Sequence, residues 1–93
     1  MRPYELTVIF PLEEDQYQEG REHLLTDLKD HGAEIEKTDE IGDRDLAYEI
    51  KKRRRGRYVL FTLKLDPVKL QTLDRIFKLN TNLLKYLFVR IEE

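Results

Sequence analysis

Residues alternate from Tyr4 to Phe10: apolar Tyr4, Leu6, Val8 and Phe10 share one parity, Glu5, Thr7 and Ile9 the other. A period of two sends successive side chains to opposite faces, so this segment is expected to be a half-buried strand, closed by Pro11. The period then changes. Tyr17, Leu24, Leu25 and Leu28 recur at helical spacing, and Glu13, Glu14 and Asp15 supply negative charge where a helix presents its positive end. Gly32 stands where a left-handed residue closes a last turn, so residues 14 to 31 are expected to form a helix with one apolar stripe. Ile35, Leu46, Tyr48 and Ile50 mark a second extended region, interrupted near Gly42, and Tyr58 to Leu65 a third strand rich in aromatic and branched residues. Asp66-Pro67 offers an N-cap followed by proline at the first helical position. Leu70, Leu73, Ile76 and Phe77 continue as a stripe, Asn80-Thr81-Asn82 ends it, and Leu84 to Ile91 reads as a last strand.

Right-handed crossovers and hairpin adjacency reduce this order to one leading topology in the α+β class. It is the ferredoxin-like β-α-β-β-α-β sandwich: a four-stranded antiparallel sheet in the order 4-1-3-2 with both helices on one face. A chain of 93 residues without linker, repeat or low-complexity segment suits a single domain over residues 1–93, with one core between two layers. In this topology the tip between strands two and three lies at the same end as the junction before strand four. Lys51 to Arg57 then share an edge with Lys78, Asn80, Asn82 and Lys85, within about 15–20 Å. The opposite face of the sheet is left uncovered. The expected register places Ile9, Tyr58, Leu60, Tyr86 and Phe88 there, among polar Glu5, Thr7, Thr62 and Arg90, as a docking surface for a partner protein or for bases. A slip of one residue would put the same groups in the core.

Charge changes the picture more than bulk composition does. The net charge is −2, yet residues 51 to 57 hold six basic side chains and no acid, which leaves −8 on the remainder. Like charges this dense repel one another unless something neutralises them, and phosphates would do so; the alternative is a solvated hairpin tip. Glu13, Glu14 and Asp15, at the same end, oppose the positive field. Cysteine is absent, which excludes a disulfide, a thiolate zinc site and a cysteine nucleophile and favours an intracellular setting. Serine is absent too, no apolar run approaches the roughly 20 residues that span a bilayer, and Met1 to Glu5 is unlike a signal peptide. A soluble, cytoplasmic protein without membrane contact is expected. His23 and His31 stand eight apart on one helix with no third ligand, and the four glycines are isolated rather than grouped in a phosphate loop. No enzyme, metal, cofactor or small-molecule substrate is therefore expected. Arg55-Gly56 followed by Tyr58 and Phe61 is similar to the third-strand motif of RNA-recognition domains, although Arg57 and Tyr58 depart from it. A free-standing RNA-binding regulator is the reading from another class.

Four further stretches carry a resemblance that runs nearly end to end. They are Met1-Arg2-x-Tyr4-Glu5, Gly32-Ala33-Glu34-Ile35-Glu36-Lys37, Gly42-x-Arg44-x-Leu46-Ala47-Tyr48-x-Ile50 with Gly56-x-Tyr58, and Leu79-Asn80-x-Asn82 with Lys85-Tyr86. In this order the chain resembles the bacterial small-subunit ribosomal protein S-six family, with Glu49 where many members carry proline. The resemblance implies the same fold and a structural role in the ribosome, binding central-domain small-subunit rRNA together with ribosomal protein S-eighteen. It carries Arg2, Tyr4, Arg44 and Lys85 over as RNA-binding positions. Lys51, Lys52, Arg53, Arg54, Arg55, Arg57, Lys78 and Asn82 join them on charge and placement.

Overall fold

Strand β1 (Arg2–Phe10) lies inside the sheet, as its two-sided burial demands, in the computed structural model, which describes residues 1–92. Helix α1 (Glu14–Asp30) leads to β2 (Glu34–Ile50), β3 (Arg53–Leu65), α2 (Leu70–Leu79) and β4 (Lys85–Arg90). All pairings are antiparallel and the sheet order is β2-β3-β1-β4, the expected order read from the other edge. Both helices pack on one face. There, Tyr4, Leu6, Val8 and Phe10 of β1 and Val59, Phe61, Leu63 and Leu65 of β3 meet Tyr17, Leu24 and Leu28 of α1 and Leu73 and Phe77 of α2. Gly32 takes φ +78°, the left-handed value expected of a helix exit. The Asp66 carboxylate accepts from the Val68 amide at 3.1 Å and opens a 3-10 turn over Pro67–Lys69, which delays α2 by one turn.

Two glycines mark close approaches that no local pattern announces. A Cβ at Gly20 of α1 would lie 2.4 Å from the Asn82 carbonyl oxygen, so this glycine lets the α2–β4 loop settle onto the helix. Asn80 locks that contact. It is buried, donates to the Gly20 carbonyl at 3.2 Å and accepts from the Asn82 amide at 3.0 Å. Gly56 plays the corresponding part on the other face, where a Cβ would meet Ile9 Cγ2 at 2.4 Å.

The structure corrects the register of β4. Residues directly opposite in antiparallel strands share a face. Tyr86 lies opposite Val8 and Phe88 opposite Leu6, so both face the helices, not the uncovered side. Phe88 stacks on Phe77 with ring centroids 5.9 Å apart, and Tyr86 meets the same ring edge-on at 5.3 Å. Arg90, opposite Tyr4, shares their parity, and Lys85, Leu87 and Val89 take the uncovered face instead.

Tyr86 fastens β4 to α2 through its hydroxyl, which donates to the Asp74 carboxylate and lies 3.1 Å from the Asp74 carbonyl oxygen. Burial first, then this bond and the carboxylate charge, push the Tyr86 hydroxyl up to about 12, and the bonds from Tyr86 and Lys78 hold the Asp74 carboxyl below its ordinary value. Folding thus retains the tyrosine proton beyond its unfolded value of about 10, so this contribution is full below that pH and fades as pH rises toward 12. Asp74 acts in the other direction, and its contribution fades in acid. Tyr86→Phe is expected to cost about 1 kcal/mol at neutral pH. In urea denaturation at stepped pH, the wild-type advantage should shrink toward both extremes; an advantage constant from neutrality to alkaline pH would refute the linkage.

Candidate RNA and partner interface

β2 and β3 run past the end of β1, whose last residue, Phe10, pairs with Arg57. Beyond that point they form a two-stranded arm. Its turn is Lys51-Lys52, and both residues have positive φ, 48° and 65°, the mark of a two-residue hairpin loop whose twist matches the strands. Lysine lacks glycine's freedom in that region, so the turn carries local strain. Only these two residues form the tip. Arg53, Arg54, Arg55 and Arg57 belong to β3, which corrects the expectation of a basic loop over the whole run.

Strand geometry then sorts the charges by parity. Arg53, Arg55 and Arg57 share the helix side with Val59 and Phe61, and each finds an acid there. Arg53 lies 3.3 Å from Glu13 and donates to Gln16, Arg55 lies 3.1 Å from Asp45, and Arg57 lies 3.2 Å from Glu14 and 3.1 Å from Asp43. Arg57 also lies over the Tyr17 ring, 4.4 Å from its centroid. The bond that Arg57 donates to Asp43 leads in raising Arg57, and the bonds donated by Gln18 and then Arg57 hold Glu14 low. Each of these three arginines thus has an acidic partner within the chain, which offsets part of the charge it was expected to present to phosphate. Arg54 and Arg44, the latter opposite Gly56, have the other parity. Among the described residues neither they nor Lys52 has a carboxylate within 4.0 Å.

The arm bends over the end of the uncovered face. Pairing lapses between Asp45 and Ile50, where Leu46 to Glu49 bulge out opposite Arg54. The bulge carries Tyr48 across the face to Lys85, whose ammonium donates to the Tyr48 hydroxyl at 2.9 Å and lies 5.3 Å from the ring centroid. That bond holds the Lys85 proton more firmly than usual. Lys51 crosses in the same way to the Leu83 carbonyl, at 2.9 Å. The expected juxtaposition of the arm with the α2–β4 junction is therefore a direct contact.

Placement decides the remaining residues. Ile9 has the expected parity but is buried beneath Gly56, and so is corrected as a docking residue. Tyr4 is 4% exposed and packs edge-on to Phe88, which corrects its reading as an RNA contact. Arg2 pairs with Leu65 at the opposite end of the sheet from the arm and lines a cleft with Arg90. Asn82 is half-buried against Gly20, and Lys78 is exposed but paired with Asp74 at 2.9 Å. Tyr58 and Leu60 keep their expected face. Leu87 (56% exposed) and Val89 (47%) join them. The uncovered face thus has an apolar band, Tyr58 and Leu60 on β3 and Leu87 and Val89 on β4, crossed by Thr7 and bordered by Glu5 of β1, with the arm beyond Tyr58. His31 Nδ1 lies 2.8 Å from the Asp27 carbonyl oxygen at the end of α1, and His23 is exposed. No helix is long and apolar enough to cross a membrane, and the described residues contain no cluster of metal ligands.

Comparison with known proteins gives one consistent result. A family model described as ribosomal protein S6 matches residues 3–90. The small ribosomal subunit protein bS6 of Treponema denticola is 54% identical over 93 residues, covering all of both chains. That of Halalkalibacterium halodurans is 42% identical over 95 residues, again covering both chains. The crystal structure of 30S ribosomal protein S6 from Thermotoga maritima superposes with a TM-score of 0.85 at 25% identity, covering 97% of this chain and 87% of that one.

Proposed function

Because the chain belongs to the ribosomal protein S6 family, and is thereby a structural, non-enzymatic component of the small ribosomal subunit, we propose that it binds central-domain small-subunit rRNA together with ribosomal protein S-eighteen. One observation carries the reading: the uncovered face has the apolar band Tyr58, Leu60, Leu87 and Val89, and at its arm end Arg44 and Arg54, with Lys52 at the turn, three cations without carboxylate partners among the described residues. An apolar band on a sheet face suits a protein partner, and unneutralised cations at its border suit a phosphate backbone. The two sit side by side, so one assembly would cover both. Arg2, at the other end of the sheet, would reach only a second segment of a folded RNA.

The test is calorimetric titration of this chain into a central-domain rRNA fragment, with and without ribosomal protein S-eighteen. Affinity should rise at least about tenfold when the partner is present, a coupling within the usual range of about 1–3 kcal/mol. Equal affinity for an unrelated RNA of the same length, partner present or not, would refute the proposal.

A further inference from the structure

We propose that the notch between the β2–β3 turn, the end of α2 and the start of β4 is a binding site for a single RNA phosphate, held by Lys51, Lys78 and Lys85. This inference rests on the RNA-binding reading above and deepens it by adding a second phosphate site outside the arginine run. The three lysines come from three separate elements, yet they line one cavity of about 320 Å³ whose apolar wall includes Phe77 and Leu84. No acidic side chain lines it. Only Lys78 has a carboxylate partner among the described residues, Asp74 at 2.9 Å, and that carboxylate also accepts from Tyr86.

The other two ammonium groups are held by neutral oxygens. Lys51 donates to the Leu83 carbonyl and Lys85 to the Tyr48 hydroxyl, each at 2.9 Å. An ammonium has three donors, so each keeps further protons for a ligand in the notch. A phosphate adds the attraction of opposite full charges, which the Leu83 carbonyl and the Tyr48 hydroxyl do not offer, so it can take up the free donors or displace either acceptor. Lysine suits this task, since it meets phosphate as a movable point charge, whereas arginine demands a fixed fork. The strained Lys51-Lys52 turn has a place in this arrangement, because it brings Lys51 across the sheet end to the α2–β4 loop.

Two measurements on the full chain test the site. First, Lys51→Met, Lys78→Met and Lys85→Met are combined, methionine keeping the apolar stems, and rRNA binding is followed against salt. One lost phosphate should lower the log–log slope by about one unit and affinity at 0.1 M salt by about eightfold. An unchanged slope in a folded variant that still binds RNA would overturn the notch and leave the RNA-binding reading standing. Tyr48→Phe serves as a control: it frees Lys85 from its hydroxyl acceptor and should not weaken binding. A loss matching that of Lys85→Met made alone would mean that Lys85 only pins the arm, against the proposal. Second, inorganic phosphate is titrated into the wild-type chain while the lysine side-chain resonances are observed. Shifts confined to Lys51, Lys78 and Lys85 support the site even if the rRNA reading fails; shifts elsewhere or none overturn it.

Discussion

Leu87→Glu is expected to weaken partner docking about thirtyfold in a folded domain, whereas Phe88→Glu, one residue later, is expected to unfold it. Leu87 is 56% exposed, opposite Thr7 on the uncovered face, so a carboxylate there stays hydrated and stability should move by no more than about 0.5 kcal/mol. Against a partner, the same carboxylate would be buried without a counter-charge in the apolar band, and truncation-scale losses at such an anchor reach about 2 kcal/mol or more, near thirtyfold in affinity. Phe88 lies between Phe77 and Tyr4, with ring centroids 5.9 and 6.3 Å away. Removing a core ring costs about 3–5 kcal/mol; half-buried Phe88 lies toward the low end, and charge forced against Phe77 and Tyr4 adds to the loss, against a total stability of about 5–15 kcal/mol for ordinary domains. Urea denaturation followed by circular dichroism reads the fold, and calorimetry with ribosomal protein S-eighteen reads the docking. Wild-type affinity in Leu87→Glu would remove this face from consideration as the partner surface.

The contrast between these neighbours shows what the sequence carries and what it withholds. β1 was legible because only one of its parities is consistently apolar. β4 was not, because Tyr86, Leu87, Phe88 and Val89 are all apolar, and a period of two cannot choose a face from such a run. Phe77 chooses it, by receiving Tyr86 and Phe88 from across the sequence. Tyr4 shows a different failure: a family motif places it, but its parity with Leu6 and Val8 already assigned it to the core. The order of elements and the meeting of arm and junction followed from topology alone. Ion pairing did not. Asp43 and Asp45 reach Arg57 and Arg55 through the hairpin register, and Glu13 and Glu14 reach Arg53 and Arg57 only because α1 begins beside β3. A count of charge along the chain sees neither relation. Gly20 and Gly56 also lack any local signal, since what they make room for lies far along the sequence, in Asn82 and Ile9.

Parity within the basic run leads to the second large effect. Arg57→Gln should destabilise the domain and spare the salt dependence of RNA binding, while Lys52→Gln combined with Arg54→Gln should do the reverse. Arg57 joins β3 to Glu14 of α1 and Asp43 of β2 and covers the Tyr17 ring. Its acidic partners are partly solvated, which limits each pair to a fraction of a kcal/mol. Together with the cation–π contact, about 1–2 kcal/mol is expected to be lost. The RNA sees little difference, since this charge already has acidic partners within the chain. Lys52 and Arg54 have no such partners among the described residues, so glutamine there costs the fold almost nothing. If each meets one phosphate, the log–log slope falls by about 1.5–2 units, and affinity at 0.1 M salt falls by more than about thirtyfold. Charge then matters by the face it occupies and not by its density along the chain. A slope that falls as far in Arg57→Gln as in the double variant would reject that conclusion, because it would mean that RNA draws Arg57 away from Glu14 and Asp43.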